Sequence, residues 1–238
     1  MATRLVRDFD TAIHDLRATA ERRAGHVSMA VLPSIANHLL PDIIKRFSTN
    51  YPGICIHLHD DNSQSVQQCV ERNEVDFGLG SRWRPNAELI FTPILRDSFS
   101  LVCHKDHPLA QAKTPLTWQT LAGEIFLDTG VSRALPMRKF IGAPTLDFPN
   151  IITLLAMLRS NIGVTALPAL AIPRGDNELV SRELIDPVET RDICLISRRG
   201  ATPSPAAEAM LETLSERLPT LARALNLQEL QACQIVGD

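Results

Sequence analysis

The sequence has little cysteine and few aromatic side chains. It contains five cysteines, with no CxxC pair among them: Cys55, Cys69, Cys103, Cys194 and Cys233. Because their number is odd and their spacing wide, they do not form the disulfide framework of a small secreted domain, and we expect reduced thiols. A redox pair would need two thiols within disulfide range, which the sequence does not show. Aromatic residues make up 5% of the chain, which disfavours a large flat ligand held by stacking.

The sequence also lacks a charge excess and a long apolar run. It has 24 Lys+Arg and 27 Asp+Glu, a formal net charge of −3, which excludes a basic nucleic-acid-coating surface and an acidic tail. No apolar run reaches the about 18 residues that a membrane span needs. The first residues are charged and amphipathic rather than signal-like, so we expect a cytoplasmic protein with no membrane partner. The 238 residues favour two lobes.

Residues 1–23 have apolar side chains in steps of three and four, among them Leu5, Phe9 and Ile13. This spacing predicts one helix with a narrow apolar stripe, and Gly25 ends it. Such a stripe is typical of a helix that packs on another helix, for example from a second copy of the chain.

From residue 26 the sequence alternates predicted strands and helices. Strands are predicted at 26–32, 54–59 and 75–80, and helices at 35–47 and 66–70, with Pro41 restarting the first helix. This order is typical of a parallel sheet with right-handed crossovers.

A second lobe is predicted from about residue 99. After a strand at 89–91, strands are predicted at 99–103, 124–128, 162–167 and 192–196. Helices are predicted between them, at 136–141 and 149–159. A last helix begins at Ser204-Pro205, a cap residue followed by proline at the first helical position. The sequence shows no internal repeat.

Hydroxyl side chains follow the predicted strands. Ser34, Ser63 and Ser81 each come after a strand of the first lobe. Strand ends that face helix N-termini are where parallel sheets bind small anions. A helix cap also requires such a residue, so each serine alone is ambiguous, and the set carries the prediction. The second lobe adds hydroxyls at Thr129, Ser132 and Thr165.

Other chemistries have weak signals. His57 and His59, and likewise His104 and His107, are spaced for metal binding, but no cysteine or carboxylate completes a site. The sequence has no GxSxG, HExxH or P-loop motif. We therefore predict no metal, no cofactor and no catalytic residue. Residues 82–84 are interpreted as a solvated loop rather than a nucleic-acid stacking site.

A series of short motifs runs through the chain in a specific order: Leu39-Leu40-Pro41, Tyr51-Pro52, Asn62-Ser63, Val75-Asp76-Phe77-Gly78-Leu79, His107-Pro108-Leu109-Ala110 and Ile162-Gly163-Val164-Thr165-Ala166-Leu167-Pro168. In order and spacing the sequence resembles the effector-binding half of LysR-type transcriptional regulators over nearly its whole length. Residues 1–23 resemble the later part of the family's linker helix, without the winged helix-turn-helix that normally precedes it. The resemblance thus implies a truncated chain.

The resemblance implies an α/β fold of two Rossmann-like lobes joined by crossover strands, similar to type 2 periplasmic binding proteins. The expected divisions are a linker and dimerisation helix at 1–24, lobe I at 25–98 and 203–225, lobe II at 99–202, and a C-terminal tail at 226–238.

The implied function is regulatory. A small, anionic effector is expected to bind between the lobes and to control DNA binding, with DNA contacted only through the absent N-terminal part. A homodimer or homotetramer is expected. The expected ligand-binding residues are Pro33, Ser34, Asn62, Ser63, Ser81, Thr129, Ser132, Phe148 and Thr165.

The sequence departs from the family at two positions. Asn161 stands where glycine is usual, and asparagine visits the left-handed region more readily than most residues. Ala30 replaces a glycine at the end of the first strand, and its methyl is expected to narrow the cleft.

Two other functions remain open at this stage. A transport-type solute-binding protein would share the fold but needs a secretion signal, and none is visible. An enzyme on this scaffold needs an acid–base pair, and the hydroxyl-rich set lacks an evident general base.

Overall fold

The chain forms two compact units. The computed structural model describes residues 24–130, 138–148 and 150–230. Unit 1 contains the described residues up to Arg96 and from Asp192 onward, and unit 2 contains Asp97–Arg191. The predicted helix at 1–23 and most of the predicted tail lie outside the described residues.

Unit 1 is built on a parallel sheet. Strand β1 (Gly25–Val31) lies between β2 (Ile54–Asp60) and β3 (Phe77–Gly80) and pairs parallel with both. Val27, Met29 and Val31 alternate along β1 and are fully buried. The predicted parallel sheet of the first lobe is therefore present.

Among the described residues, the helices of unit 1 are α1 (Pro33–His38), α2 (Leu40–Asn50), α3 (Ser63–Glu71) and α6 (Pro205–Leu225). The break between α1 and α2 comes where Pro41 restarts the helix, as predicted. Helix α3 lies close on β3 because Gly78 has no side chain. A β-carbon there would stand 2.9 Å from Val70 Cγ2.

Unit 2 contains β5 (Leu116–Thr117), β6 (Leu127–Asp128), β7 (Leu146–Asp147), β8 (Val164–Pro168) and β9 (Leu179–Ile185), with α4 (Arg138–Ile141) and α5 (Ile151–Arg159). Short 3₁₀ helices lie at Pro108–Gln111, Trp118–Gly123 and Ala169–Ala171. Buried clusters in the described part of this unit lie around Trp118 and Phe99 and around Leu127 and Leu154.

Two strands pass through both units. Strand β4 (Leu89–His104) pairs antiparallel with β8 and β9 in unit 2 and with β11 (Gln228–Glu229) in unit 1. Strand β10 (Thr190–Arg198) pairs antiparallel with β3 in unit 1.

The structure corrects three sequence predictions. The strands predicted at 89–91 and 99–103 are one strand, because the polar residues that interrupt the pattern near Asp97 are paired rather than in a turn. Strand β9 was missed, since Arg182 and Glu183 break its apolar alternation. Residues 192–202, assigned to lobe II, belong to unit 1 because β10 continues the sheet beside β3.

Candidate ligand-binding site

The carboxyl ends of β1, β2 and β3 meet at one edge of unit 1. Beyond the strand ends, Leu32 N donates to Leu79 O at 3.1 Å and Asp61 N donates to Val31 O at 3.1 Å. These bonds hold the three chain segments together where the predicted residues begin. The edge carries all five predicted ligand-binding residues of the first lobe: Pro33, Ser34, Asn62, Ser63 and Ser81.

Helix α1 begins at this edge without a capping side chain. Leu32 stands at its N-cap and makes no side-chain cap bond, and Pro33 occupies the first turn. Ser34 follows and is 7% exposed. Its hydroxyl and the uncapped first turn bring polar groups to the edge of the sheet.

Helix α3, in contrast, is capped by the side chain of Asn62. The Asn62 Oδ1 accepts hydrogen bonds from Gln64 N at 3.0 Å and from Ser65 N at 3.1 Å. Asp61 Oδ1 in turn accepts from Asn62 N and Nδ2. These contacts give Asn62 a structural role, and Ser63 is the first residue of the helix that it caps.

Ser81 is the unsatisfied residue of this edge. Its Oγ is buried, yet it has no hydrogen-bond partner within the part of the chain that the structure describes. Buried hydroxyls in folded proteins nearly always have a partner, which is protein, water or ligand. Ser81 directly follows Gly80, the last residue of β3, and this places the hydroxyl at the shared edge.

The loop after Ser81 is held by Gln67, a residue that the sequence analysis missed. Gln67 is 1% exposed, and its Oε1 accepts from both Trp83 N and Arg84 N at 3.1 Å. Its Nε2 donates to Arg84 O and to Glu71 Oε1. In the sequence, Gln67 could have been recognised as a polar residue within the apolar face of α3.

Charged groups complete this loop. Asn86 donates to the Glu71 carboxylate at 2.8 Å, which is the main reason why the pKa of Glu71 lies below its usual value. Arg84 pairs with Glu71 at 3.2 Å, and the Arg82 guanidinium lies over the Phe91 ring at 4.6 Å. Both arginines therefore contact the protein itself, in agreement with the interpretation of 82–84 as a loop.

In unit 2 the predicted residues gather around β6. Strands β6 and β7 pair parallel, so their carboxyl ends share one edge, which Thr129 and Phe148 follow directly. The Phe148 N donates to Asp128 O at 2.8 Å. The Thr165 Oγ1 donates to Leu127 O at 2.7 Å. Ser132 lies outside the described residues.

Two of these unit 2 residues have structural contacts. Thr165 is 1% exposed, and its hydroxyl donates its hydrogen bond to the backbone carbonyl of Leu127. The half-buried Phe148 ring packs against the cluster that contains Leu127 and Leu154. Thr129 directly follows β6 and is half-buried.

His107 and His59 have local partners. His107 Nδ1 accepts from Leu109 N and caps the 3₁₀ helix at Pro108–Gln111. His59 Nε2 lies 3.3 Å from Ser65 Oγ. Over the described ranges, no cluster of three or more His, Cys, Asp or Glu side chains is arranged to hold a metal.

The chain matches the family model described as the LysR substrate-binding domain over residues 20–219. The chain belongs to this family. The LysR substrate-binding domain accounts for the mixed α/β architecture, and the predicted fold class, which is similar to type 2 periplasmic binding proteins, is confirmed.

Sequence relatives support the same family. An uncharacterised HTH-type transcriptional regulator of Escherichia coli K12, YbhD, is 30% identical over 224 residues, which cover 90% of this chain and 70% of YbhD. Solved LysR-type structures share the fold. The QuiR effector-binding domain in complex with shikimate matches with a TM-score of 0.70 at 15% identity, covering 83% of this chain and 98% of QuiR. HinK of Pseudomonas aeruginosa, a LysR family regulator, matches with a TM-score of 0.72 at 18% identity, covering 92% of this chain and 79% of HinK.

The two positions at which this sequence departs from the family, Asn161 and Ala30, have different environments in the structure. Asn161 has φ of 55°, the left-handed conformation in which the family usually has glycine, so this prediction is confirmed. Ala30 is fully buried in unit 1, and the expected narrowing of the cleft by its methyl stays a prediction.

The comparisons also bear on the two alternatives. The relatives are named as transcriptional regulators, neither as transport proteins nor as enzymes. Within the described residues, no helix has the length and apolar character to cross a membrane.

Proposed function

We propose that the chain is the ligand-sensing domain of a LysR-type transcriptional regulator, and that it binds a small anionic effector in the cleft between its two lobes. The observation that carries the site is the hydroxyl of Ser81, at the edge that also bears Ser34: this hydroxyl is buried and has no hydrogen-bond partner among the described residues. A ligand acceptor or donor at this edge would satisfy it. Thr129 would contribute from the second lobe.

Effector binding changes the relative angle of the lobes, and in a dimer or tetramer this repositions the DNA-reading parts. The effector must bind one arrangement more tightly, and a coupling of about 1–3 kcal/mol is typical. DNA contact is made by a helix-turn-helix part such as the relatives' names indicate, outside the matched region. As a regulator of transcription, the protein acts in the cytoplasm.

The effector is a carboxylate in this proposal. The QuiR domain, a neighbour in fold, was solved with shikimate, which is a small hydroxylated carboxylic acid. Hydroxyl and backbone N–H donors at helix N-termini suit such a group. Shikimate is therefore a useful first probe, alongside other small carboxylates.

The first experiment is native mass spectrometry of the purified chain, which reports subunit number and any small adduct. A panel of small carboxylates that includes shikimate is then screened by thermal shift, and the binder is measured by calorimetry. Ser81→Ala is expected to weaken binding by about 0.5–1.5 kcal/mol, the contribution of a neutral hydrogen bond.

Ser48→Ala serves as the matched control, because Ser48 is exposed on α2 in the same unit. Equal affinity of wild type, Ser34→Ala and Ser81→Ala would rule out the proposed edge as the binding site. Failure of every carboxylate to bind would rule out the proposed effector class.

A further inference from the structure

The same dipeptide stands at both places where the chain passes between units. Strand β4 leaves unit 1 at Arg96 and enters unit 2 at Asp97, and β10 leaves unit 2 at Arg191 and enters unit 1 at Asp192. An Arg-Asp step thus spans each crossing. We call these the two Arg-Asp steps.

The two steps pair crosswise. Arg96 donates from Nε to Asp192 Oδ1 at 2.7 Å and from Nη2 to Oδ2 at 3.1 Å, and both residues belong to unit 1. Arg191 donates from Nε to Asp97 Oδ1 at 2.8 Å and from Nη2 to Oδ2 at 3.2 Å, and both belong to unit 2. Each unit therefore closes its own end of the crossing with a bidentate ion pair, which fixes orientation as well as distance.

The two pairs lie on opposite faces of the two strands, because adjacent residues of a strand point to opposite sides. Their surroundings differ. The side chains of Arg96 and Asp192 are 38% and 37% exposed, and those of Arg191 and Asp97 are 13% and 0% exposed. We call them the outer pair and the inner pair.

The inner pair is also tied to the body of unit 2. Asp97 Oδ2 accepts from Leu170 N at 3.0 Å, within the 3₁₀ helix at Ala169–Ala171. Two residues after Asp97 along β4, Phe99 N donates to Glu189 O at 2.9 Å. On the unit 2 side, the crossing strands are held by side-chain and backbone bonds at once.

We propose that the two Arg-Asp steps form a clasp that confines bending between the units to the peptide links 96–97 and 191–192. This inference rests on the proposed function, in which the effector changes the relative angle of the lobes. The four side chains are positioning residues: each ion pair keeps β4 and β10 together on its own side of the boundary. Torsions outside the two links are then restrained, and motion of the units is limited to a hinge.

The outer pair is the one to test. Loss of Asp97 would leave Arg191 mostly buried beside an empty position, which threatens folding. Asp192→Asn removes the charge of the outer pair at nearly constant shape. The exchange variant Arg96→Asp with Asp192→Arg restores an ion pair of reversed polarity.

Unit 1 offers a control. Arg217 Nε donates to Asp42 Oδ1 at 2.6 Å, with side chains 33% and 41% exposed, so this pair is close to the outer pair in exposure and in its Nε–Oδ1 distance. It joins α2 and α6 away from the crossing. Asp42→Asn therefore measures what loss of a similar ion pair does elsewhere.

The readout is the distance distribution between two nitroxide labels, measured by pulsed electron paramagnetic resonance on the whole chain without effector. One label is on the exposed Cys55 in unit 1, and the other is on Ile152→Cys in α5, where Ile152 is 77% exposed. Cys233→Ser is included throughout. Thermal unfolding of each variant reports the structural cost separately.

We expect Asp192→Asn to broaden the distribution, the exchange variant to narrow it again, and Asp42→Asn to leave it unchanged. The clasp is overturned by a wild-type distribution in Asp192→Asn, by equal broadening in Asp42→Asn, or by an exchange variant that stays broad. Because no ligand enters this measurement, its failure is distinct from failure of carboxylate binding.

Discussion

The carbonyl oxygen of Ile125 lies against Gly163 so closely that a β-carbon on residue 163 would overlap it. The same oxygen accepts a hydrogen bond from Val164 N at 2.9 Å and so is not free to move away. The glycine of the Ile162-Gly163-Val164 motif is therefore a packing requirement within unit 2.

Gly163→Ala is expected to destabilise unit 2 by about 1–3 kcal/mol, the usual cost of forcing an extra methyl into a packed site. Urea unfolding followed by tryptophan fluorescence measures this, since Trp118 lies in the unit 2 core. Gly123→Ala is the control, because a β-carbon there meets nothing within 4 Å. Equal stability of the two variants would contradict the overlap.

Thr165→Val keeps the shape of the side chain but removes the donor to Leu127 O. We expect a loss of about 1–3 kcal/mol in the free energy of unfolding, because the bond is buried. Thr213→Val is the matched control: this buried hydroxyl donates to Ala209 O, a carbonyl within α6. A smaller loss is expected there, since a helical carbonyl at that spacing has its own backbone donor. A larger loss in Thr213→Val would contradict this assignment.

Acid should weaken the loop that Glu71 holds. The pKa of Glu71 is lowered in the folded protein, first by the hydrogen bond from Asn86, so ionised Glu71 stabilises the fold above its ordinary pKa of 4.5. That contribution is lost as the pH falls below 4.5 and through the lower pKa of the folded state.

Glu71→Gln is therefore expected to show a shallower fall in the free energy of unfolding over this acid range. Urea titrations at stepped pH measure it, and Glu216→Gln, at an exposed position of α6, should keep the wild-type slope. If Glu71→Gln also keeps that slope, the carboxylate does not stabilise the loop.

The cysteines should react unequally. Burial raises the pKa of Cys103 and Cys194 to about 11, whereas Cys55 is exposed. Iodoacetamide at pH 8 is expected to modify Cys55 before Cys103 and Cys194, because the thiolate is the nucleophile and access is required. Peptide mass mapping over time measures the order, with urea-unfolded protein as the fully reactive control. Equal rates in the folded protein would show that the two buried thiols are accessible.

Local pattern was enough to predict much of the architecture. The alternation from His26 predicted β1, the proline at 41 predicted the break between α1 and α2, and Ser204-Pro205 predicted the start of α6. Each of these signals depends on a few neighbouring residues and on backbone sterics, which act before any tertiary contact forms. The positive φ of Asn161, by contrast, was expected from the family resemblance, in which glycine is usual at this position.

The polar contacts were outside the reach of such patterns. Nothing near Thr165 in sequence indicates that its hydroxyl meets Leu127, and Gln67 has no local sign of its bonds to the loop at 83–84. The sequence also gives no local sign that Asp97, between the two predicted strands at 89–91 and 99–103, pairs with Arg191 far along the chain.

Periodicity and turn chemistry in the sequence thus determined many of the strands and helices, because those preferences are local. The tertiary structure alone decided which hydroxyls and charges are paired and which, such as Ser81 Oγ, have no partner among the residues that the structure describes. Partner choice depends on which distant side chains the packing brings within bonding distance, and a buried polar group must be satisfied by whatever packing places beside it.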